Sequence, residues 1–469
     1  MLNLSLRLDF IRNVWYKNRM EKPTDVKNGA AKQQNHRHEK KKTVPFSKSL
    51  CGLFLFLCKI VSKFFRCKYT VSDSFKKQKK SGAMLVISNH VSALDFIYFS
   101  APLYGSATNF VVAENMMYST PIFATLISKY HAILKRQYYA DFQCIKNIKK
   151  YLDSGINVLL CPEGKVSADG KTGVISPSVA RLVQWLGYPV ATVKLSGGSM
   201  VRPKWAYTVR RGRVEAKCDM LFDAAQTKSL SKSEIYERIV NSISNNEHEW
   251  QVDNKVYFKG KRYAEGLERL LYRCPNCGAE FENTTKDDLL ICNVCGNTIK
   301  YEHTGKLVAL NEGSKTYERI DLFYDAQRNA VIEEISKDDF QLSHCVHLFV
   351  ENADKNGYRY IAKGILTLTK DRLVFHTDQR QRPEKVDEEF RINGMVFSFK
   401  GKETEPVEEE FYDLEFSLKT LDTIASLPGT SVDMYDDKHV YRFMFDKQIA
   451  STKYVLAIEE LYKLRNKSV

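Results

Sequence analysis

Four short apolar runs, at residues 84–88, 132–134, 156–161 and 189–193, alternate with stretches of helix length. Runs of three to six residues bounded by turn residues have the size of buried strands. Strands that alternate with helical segments pair in parallel, because a parallel neighbour is reached only through a crossover. The region 81–262 is therefore expected to be an α/β domain with a mixed, largely parallel sheet covered by helices. A turn at Arg211-Gly212 suggests a closing hairpin over 205–221. In a parallel sheet the carboxyl ends of the strands share one edge, so the loops that leave these runs converge.

Those loops hold chemistry-bearing residues. After the first run come His90 and Asp95. Histidine suits a general base working near neutral pH, and a carboxylate can fix its tautomer and stabilise the imidazolium. On one continuous helix, residues five apart would be about 140° out of phase. Ser92-x-x-Asp95 instead reads as a cap that starts a helix at Ser92, leaving His90 on the loop with Asp95 facing back to it. After the second run stand Lys135 and Arg136, suited to a phosphate, although such a pair is most often solvated surface. The third run ends in Cys161-Pro162-Glu163-Gly164-Lys165, where Pro162 stops the strand and Gly164 allows close backbone approach.

Charge is segregated. Residues 1–80 hold 20 Lys/Arg against 5 Asp/Glu, which is the whole of the chain's +15. Residues 1–48 read as a flexible basic arm, and 49–80 as an interfacial membrane helix with a basic segment. The apolar stretch 50–65 contains Lys59 and Lys63 and is short for a span, which takes about 20 apolar residues. It fits a helix lying in the interface with its lysines reaching anionic lipid, the alternative being an ordinary core helix. The opening residues carry no signal-peptide pattern, and the cysteines form no secreted disulfide framework, so the expected location is the cytoplasmic face of a membrane, peripheral or monotopic.

Cys274, Cys277, Cys292 and Cys295 form two Cys-x2-Cys pairs separated by fourteen residues. Two thiolates per tight turn, twice over, make a closed four-sulfur site for structural Zn2+, so 270–302 is expected to be a zinc ribbon. The stretch between the pairs is not basic, and residues 81–469 are neutral in sum, so nucleic acid is not the expected partner. Beyond residue 303 the texture is β-rich, and Tyr454, Ile458, Leu461 and Arg465 form one stripe of a final helix.

Asn-His-x4-Asp at 89–95, a strand ending in Arg136, Pro162-Glu163-Gly164, and the apolar run with Pro189 occur in this order over roughly 80–225. Together these blocks resemble the glycerophospholipid acyltransferases of the 1-acyl-sn-glycerol-3-phosphate type. The resemblance implies acyl transfer from acyl-CoA or acyl carrier protein to lysophosphatidic acid or another lysophospholipid. By it His90 is the general base and Asp95 its partner; Arg136 binds phosphate, and Glu163 and Gly164 belong to the acceptor site. Two departures stand out. Tyr130 occupies a position where the family usually has Gly, and Val166 one where it usually has Arg; Lys165 could compensate for the latter. The domain expected over 303–469 carries Gly364–Phe375, Phe416–Ile424 and a final helix, which over about 340–466 resemble the PH/GRAM-like domains, a bent sheet capped by one C-terminal helix. This implies lipid or protein contact, and a protein partner of this domain or of the ribbon is a further expectation. A membrane-tethered adaptor with a degenerate acyltransferase domain is the rival reading.

Overall fold

The computed structural model describes residues 44–118, 121–137, 141–352, 357–380, 390–392, 395–397, 406–419, 421–436, 438–446 and 449–466. The basic arm expected over 1–48 lies outside the described residues up to position 43. Helix α1 (Lys48–Phe64) begins where the Ser47 hydroxyl accepts the Leu50 N–H at 3.2 Å. Its positions 51, 55, 58 and 62 are buried, while Leu53, Phe56, Leu57, Ile60, Val61 and Phe64 are exposed. The stretch expected as an interfacial helix is thus seated on the protein by one face and apolar on the other. Tyr130 holds it down, its hydroxyl donating to the Thr108 carbonyl at 2.7 Å and lying 3.2 Å from Cys51 Sγ. A glycine at 130 could make neither contact. No described helix is long and apolar enough to cross a membrane.

The first sheet contains β1 (Cys67–Val71), β2 (Leu85–Ser88), β3 (Thr108–Ala113), β4 (Ile133–Lys135), β5 (Asn157–Leu160), β6 (Val190–Ser196) and β7 (Val214–Phe222), in the order β1-β7-β6-β2-β5-β3-β4. Strands β6, β2, β5, β3 and β4 are parallel; β7 runs antiparallel to β6 and parallel to β1. All four apolar runs are strands. Every residue of β2 and β5 is buried, with Val86 and Leu159 on one core face and Leu85, Ile87, Val158 and Leu160 on the other. The helices are α2 (Asp73–Ser81), α3 (Asp95–Leu103), α4 (Pro121–Tyr130), α5 (Phe142–Asp153), α6 (Ser178–Leu186), α7 (Gly198–Val201), α8 (Gln226–Ser229), α9 (Lys232–Ile243) and α10 (Glu247–Asp253).

Three expectations shift. No hairpin spans 205–221: β7 pairs with β6, and Arg211 bridges to Lys259 instead. The stretch 49–80 also supplies β1 to the sheet. Helix α3 starts at Asp95, not Ser92: the Ser92 hydroxyl donates to the Arg202 carbonyl at 3.1 Å and accepts the Leu94 N–H at 3.3 Å, within the turn that precedes the helix.

Beyond the first sheet, β8 (Asn283–Lys286), β9 (Leu289–Cys292), β10 (Thr298–Tyr301) and β11 (Leu307–Ala309) form an antiparallel meander around the four cysteines. Helix α11 (Ile320–Ile335), which the β-rich reading of 303–469 missed, leads to β12 (Leu342–Asn352), β13 (Gly357–Leu368) and β14 (Arg372–His376). A small hairpin, β15 (Phe390–Ile392) and β16 (Met395–Phe397), precedes β17 (Asp413–Ser417), β18 (Ala425–Leu427), β19 (Ser431–Tyr435) and β20 (Val440–Phe445). Seven of these strands make an antiparallel sheet, β17-β14-β13-β12-β20-β19-β18, followed by α12 (Ser451–Asn466). A single apolar cluster runs through Val193, Tyr301, Phe323, Leu348 and Tyr454, so Val44–Val469 is one compact unit. Helix α12 is buried on all sides from Ser451 to Leu461, well beyond the single stripe expected.

Candidate active site

His90 lies on the loop between β2 and α3, at the carboxyl edge of the parallel strands. Asn89 ties that loop to the sheet: its amide donates to the Leu195 carbonyl at 2.9 Å and its carbonyl oxygen accepts the Leu195 N–H at 2.7 Å. The side chain thereby extends the pairing of β2 with β6 by one residue. Asp95, in the first turn of α3, turns back over the loop. Its Oδ2 accepts from Val91 N–H at 2.7 Å, Ser92 N–H at 2.9 Å and His90 Nδ1 at 2.9 Å. The expected facing of loop histidine and helical aspartate is therefore present, and Asp95 caps the preceding turn instead of its own helix.

Asp95 is fully buried while the His90 side chain keeps 28% of its exposure. Burial pushes the Asp95 carboxyl up, and the ring and the two backbone donors oppose that shift. An ionised Asp95 requires the proton on Nδ1, which leaves the lone pair on Nε2. Among the described residues Nε2 has no hydrogen-bond partner. Gly198, at the start of α7, lies against this pair so closely that a Cβ there would sit 2.9 Å from Val91 Cγ2 and 3.2 Å from Asp95 Oδ1.

The third loop meets the first, as the shared edge requires. Glu163 Oε1 accepts the His90 N–H at 2.7 Å and Oε2 accepts the Gly173 N–H at 2.6 Å. Ser167 N–H donates to the His90 carbonyl at 2.8 Å. His90 is thus held at its ring, its N–H and its carbonyl. Burial pushes the Glu163 carboxyl up to about 7, against the pull of its two N–H donors. Gly164 adopts φ +69°, and its carbonyl accepts from the Gln137 side chain, whose oxygen accepts the Tyr435 hydroxyl at 3.1 Å.

The expected cations are on the same rim but engaged. Arg136 Nε pairs with Glu114 Oε2 at 2.9 Å, and Lys135 Nζ donates to the Arg136 carbonyl at 3.0 Å. Lys165 turns away to Glu459 of α12 and to the Thr423 hydroxyl. Burial opposes ionisation of Glu459, but Lys165 and Arg328 overcome it and hold the carboxyl down at about 2. The sequence reading assigned no part to Asn89, Ser167 or Gly173. Asn89 could have been found, since it sits inside the first block; the other two show only through backbone atoms.

The four cysteines converge. Cys274 and Cys295 sulfurs stand 3.7 Å apart, Cys277 and Cys292 sulfurs 3.8 Å, and all four lie within 4.8 Å of one another. A tetrahedron with metal–sulfur bonds of about 2.3 Å has edges of about 3.8 Å, so the donor set fits zinc. The cluster is distant from the rim in sequence and closed in its ligand set, as befits a structural site.

Residues 68–196 match the family model described as acyltransferase. That stretch runs from β1 through β6 and includes His90, Asp95, Arg136 and Glu163. A search of curated proteins finds no match. Among solved structures, the 1-acyl-sn-glycerophosphate acyltransferase PlsC from Thermotoga maritima aligns with a TM-score of 0.35 and 19% identity, covering 41% of this chain and 77% of that one.

Proposed function

We propose, from the acyltransferase match over residues 68–196 and the geometry around His90, that this chain moves a fatty acyl group from a thioester of coenzyme A or acyl carrier protein to the hydroxyl of a lysophospholipid. The observation that carries the reading is the open Nε2 of a histidine whose Nδ1 is fixed by a buried aspartate. Nε2 takes the proton of the acceptor hydroxyl as its oxygen attacks the thioester carbonyl. The new C–O bond forms, the C–S bond breaks, and the proton passes from His90 to the departing sulfur. Asp95 stabilises the imidazolium between these events. No acyl-enzyme is needed.

The acceptor is a membrane lipid, and the exposed apolar face of α1 suits a membrane surface. Leu53, Leu57 and Ile60 would enter the headgroup boundary, with Lys59 and Lys63 beside them to meet anionic lipid. The cytoplasmic face is the expected side, since the cysteine spacing forms no secreted disulfide framework. The seven-stranded sheet followed by a C-terminal helix supports the PH/GRAM-like reading of the tail, whose part would be lipid or protein contact.

The test is His90→Ala in full-length protein, assayed in vesicles with labelled acyl-CoA and a panel of lysolipids. Transfer should fall by about 10²–10⁴-fold with thermal stability unchanged. Retained transfer would remove His90 from the mechanism, whereas a wild type that transfers nothing would leave the adaptor reading standing.

A further inference from the structure

Arg202 leaves α7 on the same edge as His90, and the chain around it touches both site loops. The Arg202 carbonyl accepts the Ser92 hydroxyl at 3.1 Å, and two residues on, Lys204 Nζ donates to the Val166 carbonyl at 3.2 Å. Ser167, next to Val166, holds the His90 carbonyl. The segment 202–204 therefore bridges the loop of the base and the loop after β5.

The Arg202 side chain is half-buried, yet among the described residues its guanidinium makes no hydrogen bond, ion pair or ring contact. An arginine keeps its charge at any physiological pH and carries five donors in a fixed fork. Partial burial without a counter-charge is unfavourable, and here burial lowers its pKa with no anion to oppose it. Arg136 and Lys165 have Glu114 and Glu459; Arg202 has no such partner among the described residues. Lys204 is also short of partners. Its ammonium has one carbonyl, and burial, then Lys165 nearby, pushes it down to about 7 against the weaker pull of Glu459 and Asp433. Two cations that gain from an arriving anion thus stand on the segment that bridges the loop of the base and the loop where Val166 offers none.

We propose that Arg202, with Lys204 beside it, forms the subsite for the phosphate of the glycerol-based acceptor. This rests on the acyl-transfer reading above. In such an acceptor the phosphate is only a carbon or two from the reacting hydroxyl, so its cation must lie close to the base. The phosphates of an acyl-CoA donor are a whole pantetheine arm from the thioester. A guanidinium can clasp two phosphate oxygens at once, which sets the orientation of the hydroxyl as well as its affinity.

The experiment compares wild type, Arg202→Gln and Arg202→Lys as full-length proteins in phosphatidylcholine vesicles carrying lysophosphatidic acid, with labelled acyl-CoA. Arg202→Gln should raise the acceptor KM about tenfold or more, leave the donor KM and the melting temperature unchanged, and erase discrimination against the phosphate-free monoacylglycerol. Arg202→Lys should recover part of the acceptor affinity. An unchanged acceptor KM, or a rise in the donor KM in its place, overturns the assignment. Calorimetry with glycerol 3-phosphate and no donor separates this idea from the reaction itself. Binding that weakens in Arg202→Gln supports the subsite even if wild type transfers no acyl group, and binding indifferent to Arg202 overturns it.

Discussion

The loops after β2 and β5 lie side by side on one edge, and both carry the polar residues that first drew attention to them. They use those residues differently. The β2 loop fixes every polar atom of His90 except Nε2, which is left to act on something outside the protein. The β5 loop has its polar groups already engaged: the Glu163 carboxylate on two backbone N–H groups, the Gly164 carbonyl on Gln137, and Lys165 on Glu459 and Thr423. One loop presents a reactive atom; the other builds the frame that holds it still. A sequence block tells which residue types reach an edge, but their role depends on what they meet there.

The largest effect that tests this contrast is Asp95→Asn. The side chain can keep its shape, but an amide no longer selects the Nδ1-protonated tautomer or stabilises an imidazolium. We expect kcat to fall by about 10³–10⁴-fold with thermal stability little changed, measured as initial rates of acyl transfer. A loss smaller than tenfold would mean that Nε2 is not the reacting atom, and the contrast between the loops would lose its first half.

Next in size is Glu163→Gln. Both carboxylate oxygens accept N–H groups, so a glutamine must set its own NH2 against one of those donors. The His90 backbone should loosen, and kcat should fall by about 10–100-fold while the acceptor KM hardly moves. A raised KM with kcat intact would make Glu163 an acceptor ligand instead. pH offers an independent reading. The carboxyl is raised from 4.5 to about 7 in the folded protein, so between those values the folded state binds more protons than the unfolded one. Lowering pH across that window should therefore stabilise the fold through this group, while activity falls as the doubly accepting carboxylate is lost. The glutamine variant should lose this pH-dependent stabilisation.

How far the sequence disclosed these roles follows from the range of the interactions. The strands β2, β5 and β6 were legible because burial on both faces leaves a continuous apolar run, and their parallel order alone brought His90 and Glu163 to one edge. Four cysteines were legible because metal geometry demands their spacing. Strand β19 was not, since Asp433 lies inside it and is tolerated through its pairing with Arg442 across the ladder and the Asn115 amide. The polar side of α12 misled in the same way. Lys453, Glu459 and Glu460 look like a solvated face until Glu280, Glu334, Lys165 and Arg328 cover them. Arg202 carries no pattern at all; its lack of a partner is a property of three dimensions.

The smallest effect on catalysis, and the one that sharpens the contrast most, is expected from Lys165→Met. If Lys165 belongs to the frame, as its contact with the buried Glu459 indicates, its removal should leave the acceptor KM unchanged and act on stability. Methionine keeps the volume, and Glu459 retains Arg328 and Thr423, so the loss should be about 1–3 kcal/mol, below that for a buried charge left alone. The acid limb carries the sign. With its carboxyl held at about 2 in the fold against 4.5 ordinarily, Glu459 contributes stability that is present above 4.5 and lost as pH falls towards 2. Replacing Lys165 removes one of the two cations that hold it there, so the variant should lose less stability than wild type on acidification, even though it starts from a lower melting temperature at neutral pH. A variant that melts like wild type but needs far more lysophospholipid would return Lys165 to the acceptor, and the loop after β5 would then present a ligand as well as a frame.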